Sequence, residues 1–86
     1  MDYRTNIQVG DIIICTKEHR LYNGSIHIEL YTKHKVTYVE SGVENPKIVV
    51  ESDSYIEEYV IDYRYFQYYE KMGDRVRRIA NDMLSL

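Results

Sequence analysis

The sequence contains few of the residue types and spacings that indicate a particular chemistry. It has one cysteine, Cys15, so it forms no internal disulfide, which is typical of a reducing cytoplasm. Its four glycines are scattered as turn residues and build no phosphate-binding loop. Its three histidines, His19, His27 and His34, lack the close spacing of a metal-ligand pair. We therefore expect no metal, no cofactor and no catalytic residue, and we expect that the protein is not an enzyme.

Long apolar runs and a strong excess of charge are also absent. No stretch approaches the roughly twenty apolar residues of a membrane span, and the polar N-terminal segment is unlike a signal peptide. Eleven basic and fourteen acidic residues give a net charge of −3. General electrostatic binding to nucleic acid needs a dense basic face, which this balance does not favour. The sequence therefore predicts a cytoplasmic protein that does not bind membranes.

The composition that remains is that of a small folded domain. With 44% hydrophobic and 29% charged residues over 86 positions, the chain is composed like a folded protein rather than a disordered one. A domain this short buries only about 60–65% of the surface of its unfolded chain, which leaves little stability for a deep catalytic cleft. We expect a single domain, 1–86, with a shallow binding face.

The segment 7–70 has the pattern of consecutive β-strands. Ile12, Ile13 and Ile14 follow a Gly-Asp turn and predict a strand that is covered on both faces. Asn23-Gly24 predicts a two-residue hairpin turn, because such a turn needs positive φ at both positions. Ile26, Ile28 and Leu30 then alternate with polar residues, which points all three inward. Further strands are predicted at Lys35–Glu40, Lys47–Glu51 and Ile56–Ile61.

Several residues of these strands are predicted to form the core. Val36, Ile48 and Val50 occupy positions that alternate inward. Tyr38 alternates with Val36, and Tyr59 lies beside apolar neighbours, so both rings are also expected inside. Cys15 ends an apolar run and is expected to be a small core residue.

The last part of the chain changes from a period of two to a helical period. Asp74 is a good N-cap, and the pattern predicts a helix over 74–85. Its apolar residues recur on one face and make a single stripe. The stripe consists of Val76, Ile79, Ala80, Met83 and Leu84. We expect this stripe to pack on the chain's own barrel in a monomer, with docking on a twin chain or on a partner as the alternatives.

Four short motifs in the chain resemble a known family. They are Val9-Gly10-Asp11, Tyr31-Thr32-Lys33-His34-Lys35-Val36, Ile48-Val49-Val50 with Asp53, and Arg64-Tyr65-Phe66. Together they resemble the small SH3-like β-barrel proteins common in bacteriophages and their bacterial hosts. That resemblance implies a mainly β fold with a five-stranded SH3-like barrel over 7–70, to which the C-terminal amphipathic helix is an addition. The chain departs from the family at His34, where glycine is usual, and at Tyr31, where leucine is usual.

The tyrosines near the end of the predicted barrel suggest a binding face. The chain has ten tyrosines, and several lie close together around Phe66, where neighbours on a strand must point to opposite faces. Exposed tyrosines are typical of protein interfaces. The predicted protein-binding residues are Tyr63, Tyr65, Tyr68 and Tyr69, with an acidic rim of Glu57, Glu58 and Asp62. The alternative is that the C-terminal helix covers these rings, so that they are buried and form no binding face.

These observations favour a non-enzymatic protein-binding module. The resemblance to phage proteins implies that this module is a regulator or inhibitor of a host protein in the host cell cytoplasm. The acidic rim suggests that this partner is a basic, nucleic-acid-binding protein. The second hypothesis is a module for RNA or single-stranded DNA, with basic residues that contact phosphates and an aromatic ring that stacks on bases. Its residues are Lys33, Lys35, Tyr31 and Arg78.

Overall fold

The computed structural model describes residues 7–52 and 55–85, without the side chains of Ser52 and of residues 55–57. The strands and the helix follow one another in chain order. They are β1 (Ile12–Cys15), β2 (His19–Leu21), β3 (Ile26–Ile28), β4 (Lys33–Val39), β5 (Lys47–Ser52), β6 (Tyr55–Asp62), β7 (Tyr69–Lys71) and α1 (Met72–Leu84). Two 3₁₀ segments, Tyr22–Gly24 and Tyr63–Tyr68, follow β2 and β6. The predicted mainly β fold with one C-terminal helix is confirmed.

Five strands form one antiparallel sheet in the order β6-β5-β4-β1-β7. Strands β2 and β3 form a separate hairpin that is inserted in the chain between β1 and β4. Ile13 of β1 pairs with His34 of β4, and Val36 of β4 pairs with Val50 of β5. These registers point alternate side chains to one face of the sheet, where the core forms.

The core is aliphatic and aromatic, as the alternation predicts. Val36, Ile48 and Val50 are fully buried, and Tyr59 and Cys15 lie among them, so these predictions are confirmed. Full burial of an aliphatic side chain stabilises a fold by about 1.5–3 kcal/mol. The other residues of the cluster are Ile7, Ile13, Leu21, Ile28, Ile61, Phe66 and Tyr69.

A bulge in β4 moves Tyr38 out of the core. The pairing between β4 and β5 shifts between Val36 and Tyr38, so that Thr37 is an extra residue in its strand. An extra residue reverses the alternation that follows it. Tyr38 therefore points outward and is 58% exposed, whereas Val39 packs against the core. The prediction that Tyr38 is a core residue is wrong for this reason.

The predicted hairpin at Asn23-Gly24 exists, with a longer turn than expected. The last paired residues are Leu21 and Ile26, so four residues connect the strands instead of two. Leu30 lies beyond β3 and is exposed, contrary to its predicted inward direction.

Helix α1 begins at Met72, two residues before the predicted start. Asp74 lies in its first turn, where a carboxylate is favourable to the helix dipole, and Lys71 is at the N-cap position. Within the described chain, no residue of α1 is buried. Val76, Ile79, Met83 and Leu84 are all exposed, which contradicts the prediction that the apolar stripe packs on its own barrel. Within the described residues, no helix has the length and apolar character needed to span a membrane.

Candidate functional site

An open cleft of about 730 Å³ lies between the β2–β3 hairpin, the end of β6 and the second 3₁₀ segment. We call it the hairpin cleft. Its main lining side chains come from three separate stretches of the sequence, at residues 20–22, 47 and 62–65. They are Arg20, Tyr22, Lys47, Asp62, Arg64 and Tyr65.

The hairpin tip that forms one wall has an unusual backbone. Tyr22 and Asn23 have φ values of 51° and 58°. Asn tolerates this left-handed conformation in turns, whereas it costs a residue such as Tyr22 about 1–2 kcal/mol. Local hydrogen bonds hold the turn. The Ser25 amide and hydroxyl both donate to the Tyr22 carbonyl, and the Arg20 guanidinium donates to the Gly24 carbonyl at 3.1 Å.

The Tyr22 hydroxyl attaches this tip to the edge of the main sheet. It accepts a hydrogen bond of 2.8 Å from the Val60 amide and donates one of 3.3 Å to the Val60 carbonyl. Strand β6 is an edge strand of the described sheet, so within residues 7–52 and 55–85 no strand lies beside these backbone groups on that side. One phenol therefore takes the place of a strand partner at Val60, and it fixes the position of the hairpin relative to β6.

The cleft has an excess of positive charge. Among the described residues that line it, Arg20, Lys47 and Arg64 outnumber the one carboxylate, Asp62, so their formal charge is +2 (three minus one). The Arg64 guanidinium lies 3.4 Å from the Asp62 carboxylate, and both groups are partly exposed. Asp62, predicted as part of an acidic rim, is thus paired with a cation at the edge of the cleft.

An aromatic cluster around His19 continues from the cleft. The His19 ring stacks on Tyr65 at 5.3 Å and contacts Tyr68 and Tyr69 at 5.2 Å each. The outer tyrosines are covered by cations, because the Arg64 guanidinium lies 5.0 Å from the Tyr65 ring centre and the Lys17 ammonium lies 4.9 Å from that of Tyr68. Such cation–π pairs are favourable because the face of an aromatic ring has a negative electrostatic potential.

The structure brings together most of the predicted protein-binding residues that it describes. Tyr65 and Tyr68 are half-buried in the aromatic cluster, and Tyr63 is exposed beside Asp62. Tyr69 is only 4% exposed, which contradicts its predicted place on an exposed face. Its strand β7 pairs with β1 at Cys15, which turns the ring into the core.

The structure describes only part of the predicted acidic rim. Glu58 is exposed on β6, whereas the side chain of Glu57 lies outside the described residues. The groups found directly against the aromatic rings are cations.

The second predicted set lies on the outer face of the sheet. Lys33 pairs with Ile14 of β1, and Ile14 pairs with Glu70 of β7, so these three residues form one row across the sheet. Lys35 is two residues further along β4 and shares that face. Arg78 is 3.3 Å from the Glu70 carboxylate and is thus already in an ion pair. Tyr31 is exposed, and the Arg75 guanidinium lies 5.3 Å from its ring centre.

Cys15 and His19 approach each other without forming an activated nucleophile. The Cys15 thiol donates to the Lys17 carbonyl at 3.1 Å, and His19 Nδ1 lies 2.9 Å from the same oxygen. A carbonyl only accepts, so Nδ1 carries the hydrogen and is no base for the thiol, 3.9 Å away. His19 Nε2 then accepts from the Tyr69 hydroxyl at 2.8 Å.

Burial shifts the pKa of Cys15, of His19 and of Tyr69. It raises the pKa of the Cys15 thiol and that of the Tyr69 hydroxyl. It lowers the pKa of His19, because a buried imidazole is more easily kept neutral. Catalytic cysteines need the opposite shift, since the thiolate is the nucleophile.

His34 is a buried polar residue in the middle of the sheet, although the sequence places it among exposed basic residues. Its side chain is 1% exposed. The Thr32 hydroxyl donates to the Glu29 carbonyl, so His34 Nε2 donates to that hydroxyl, at 2.8 Å. His34 Nδ1 then accepts from the Tyr59 hydroxyl. The alternation of His34 with Val36 was a signal for burial, because residues two apart on a strand share a face.

Sequence patterns missed Lys47 as a site residue. Arg20 and Tyr22 belong to the basic and aromatic residues on which the nucleic-acid hypothesis draws, but no pattern brings them together with Lys47, since the register of the sheet decides which residues meet there. Among residues 7–52 and 55–85, no three His, Cys, Asp or Glu side chains come together as metal ligands. Comparisons of the chain with family models, curated proteins and solved structures found no match.

Proposed function

We propose that the chain is a non-enzymatic protein-binding module and that the hairpin cleft is its binding face. The observation that carries this proposal is an open cleft whose wall combines the left-handed backbone of Tyr22 with a cation on the Tyr65 ring. Strained backbone is concentrated at functional sites, where the surrounding structure holds it. Arginine and tyrosine are also the residues enriched at interface hot spots.

We also propose that the sheet belongs to an SH3-like barrel. Three features support this: the strand order β6-β5-β4-β1-β7, the hairpin between β1 and β4, and the 3₁₀ segment before β7. The Gly10-Asp11 motif lies just before β1, and the Arg64-Tyr65-Phe66 motif lies in that 3₁₀ segment. The resemblance to phage proteins adds the role of a regulator or inhibitor of a host protein in the host cytoplasm.

Binding of single-stranded nucleic acid is the second candidate, because the lining of the cleft is cationic. Base stacking needs an open ring face. The Tyr65 ring is in contact with His19 by stacking and with the Arg64 guanidinium. The net charge of −3 also opposes accumulation of phosphates around the chain. These points favour a protein partner.

Site-specific photocrosslinking tests the proposed binding face. A photoreactive residue replaces Lys47 in the cleft or, as a matched control, Lys35, which is an exposed strand lysine on the outer face. In host lysate we expect a discrete protein adduct from position 47 and none from position 35. The captured protein, once purified, should bind the wild type and lose affinity for Tyr22→Ala but not for Tyr38→Ala.

Other results would contradict the proposal. An adduct from position 35 alone would move the interface to the outer face of the sheet. Adducts that disappear after nuclease treatment would support the nucleic-acid candidate.

A further inference from the structure

The charge of the hairpin cleft is opposite to that of the whole chain. The full chain has a net charge of −3, whereas the described residues that line the cleft have a charge of +2, from Arg20, Lys47 and Arg64 against Asp62. The cations come from β2, β5 and the second 3₁₀ segment, so the tertiary fold and not a basic run in the sequence brings them together.

These cations have hydrogen-bonding capacity left. Arg20 uses one of its N–H groups on the Gly24 carbonyl, out of the five that a guanidinium has. Among the residues that the structure describes, the Lys47 ammonium has no ion-pair partner. Arg64 has one carboxylate neighbour, Asp62, and its side chain is 67% exposed. All three cations can therefore donate hydrogen bonds to an anionic ligand without loss of a buried contact.

Arginines and a lysine beside aromatic rings suit carboxylates. A guanidinium binds a carboxylate through two parallel hydrogen bonds, and a lysine adds a further charged donor. Tyr22, which is half exposed at the cleft wall, offers apolar contact area to the residues between the carboxylates. Tyr65 is less suited to base stacking because His19 and Arg64 pack on it.

We propose that the hairpin cleft recognises an acidic segment of the partner protein, with Asp or Glu side chains that pair with Arg20, Lys47 and Arg64. The inference rests on the proposed protein-binding function and adds the chemistry of the partner. It also replaces the basic partner suggested by the acidic residues of β6. Asp62 keeps Arg64 at the edge of the cleft, and the exposed side of that guanidinium remains for the ligand.

Fluorescence anisotropy with two labelled peptides tests this recognition. One peptide is Gly-Glu-Tyr-Glu-Val-Glu-Gly, and the other has glutamine at each glutamate position. We expect the acidic peptide to bind about tenfold more tightly, since three exposed ion pairs each contribute a fraction of that factor. Its affinity should fall as salt is added.

Two matched double variants separate the cleft from general charge. Arg20→Gln with Lys47→Gln removes two cations from the cleft, and Lys33→Gln with Lys35→Gln removes two from the outer face of the sheet. Both change the net charge equally. We expect the first pair to weaken binding of the acidic peptide by about fivefold, in line with the loss of two exposed ion pairs. The second pair should change it little, and circular dichroism should show both variants folded.

Three results would overturn the inference. The two peptides could bind equally, the two double variants could weaken binding equally, or the acidic peptide could fail to bind at millimolar concentration. If crosslinking from position 47 still captures a protein in any of these cases, the proposed function stands and the acidic recognition alone fails. Tighter binding of an oligothymidylate than of the acidic peptide would instead favour the nucleic-acid candidate.

Discussion

The sheet and the C-terminal helix place their apolar residues in opposite environments. Val36 and Ile48 are fully buried in the sheet, whereas Val76 and Met83 on α1 are 60% and 68% exposed. Both elements have a clear hydrophobic period, of two residues in the strands and of three to four in the helix. The difference shows that a period identifies which residues share a face, but does not identify what covers that face.

Polar contacts hold the start of α1 in place. The Arg75 and Arg78 guanidinium groups both lie within 3.4 Å of the Glu70 carboxylate, and Arg75 also packs on the Tyr31 ring. Exposed or half-exposed ion pairs contribute about 0–1 kcal/mol each. The helix is therefore attached to β7 mainly through its first two turns, and its apolar stripe adds little to the stability of the sheet.

The largest effect is expected in the sheet. Ile48→Ala removes a fully buried side chain and leaves a cavity, so the free energy of unfolding should fall by about 2–4 kcal/mol. Val43→Ala, at an exposed position outside the strands, is the control and should change it by less than about 0.5 kcal/mol. Urea unfolding measures both. Equal losses in the two variants would show that Ile48 is not in the core.

A smaller loss of unfolding free energy is expected on acidification. It also arises outside the helix, because α1 contains no histidine. Burial lowers the pKa of His19 below its ordinary value of 6.5. Below that pH the unfolded chain binds a proton that the folded chain does not, so the free energy of unfolding should decrease as the pH falls through and below 6.5. Above that pH His19 is neutral in both states and contributes no slope.

Urea unfolding one pH unit above and one below this value measures the effect. A single half-buried imidazole is involved, so the loss should be smaller than that of Ile48→Ala. In His19→Gln the pH dependence should largely disappear. If it persists, another group causes it and the assignment to His19 is wrong.

The sequence predicted the parts of the fold that depend on local pattern. Alternation placed Val36 and Val50 in the core, and apolar neighbours placed Tyr59 there. Alternation failed at Tyr38 because the bulge at Thr37 depends on how β4 pairs with β5. Likewise, the neighbours of a strand decide the burial of its tyrosines, and no pattern within one segment contains that information.

The candidate site was harder to predict than the fold, because it depends more on tertiary contacts. Arg20, Lys47 and Arg64 lie 17 to 44 residues apart in the sequence. Only the strand order and the hairpin bring them to one cleft. The cluster of tyrosines was predictable from composition, whereas the sign of the charge on their faces was not.

The smallest effect is expected on α1, where it tests the exposure of the stripe in solution. Ile79 is 44% exposed, and Ile79→Gln replaces it by a residue with good helix propensity. The free energy of unfolding should therefore change by less than about 0.5 kcal/mol, at every protein concentration. Urea unfolding at a low and a high concentration measures this. A loss above about 1.5 kcal/mol that grows with concentration would mean that a second copy covers the stripe, because dimer stability depends on protomer concentration. A similar loss without concentration dependence would mean that the stripe packs on its own sheet, and the contrast between the two regions would then be wrong.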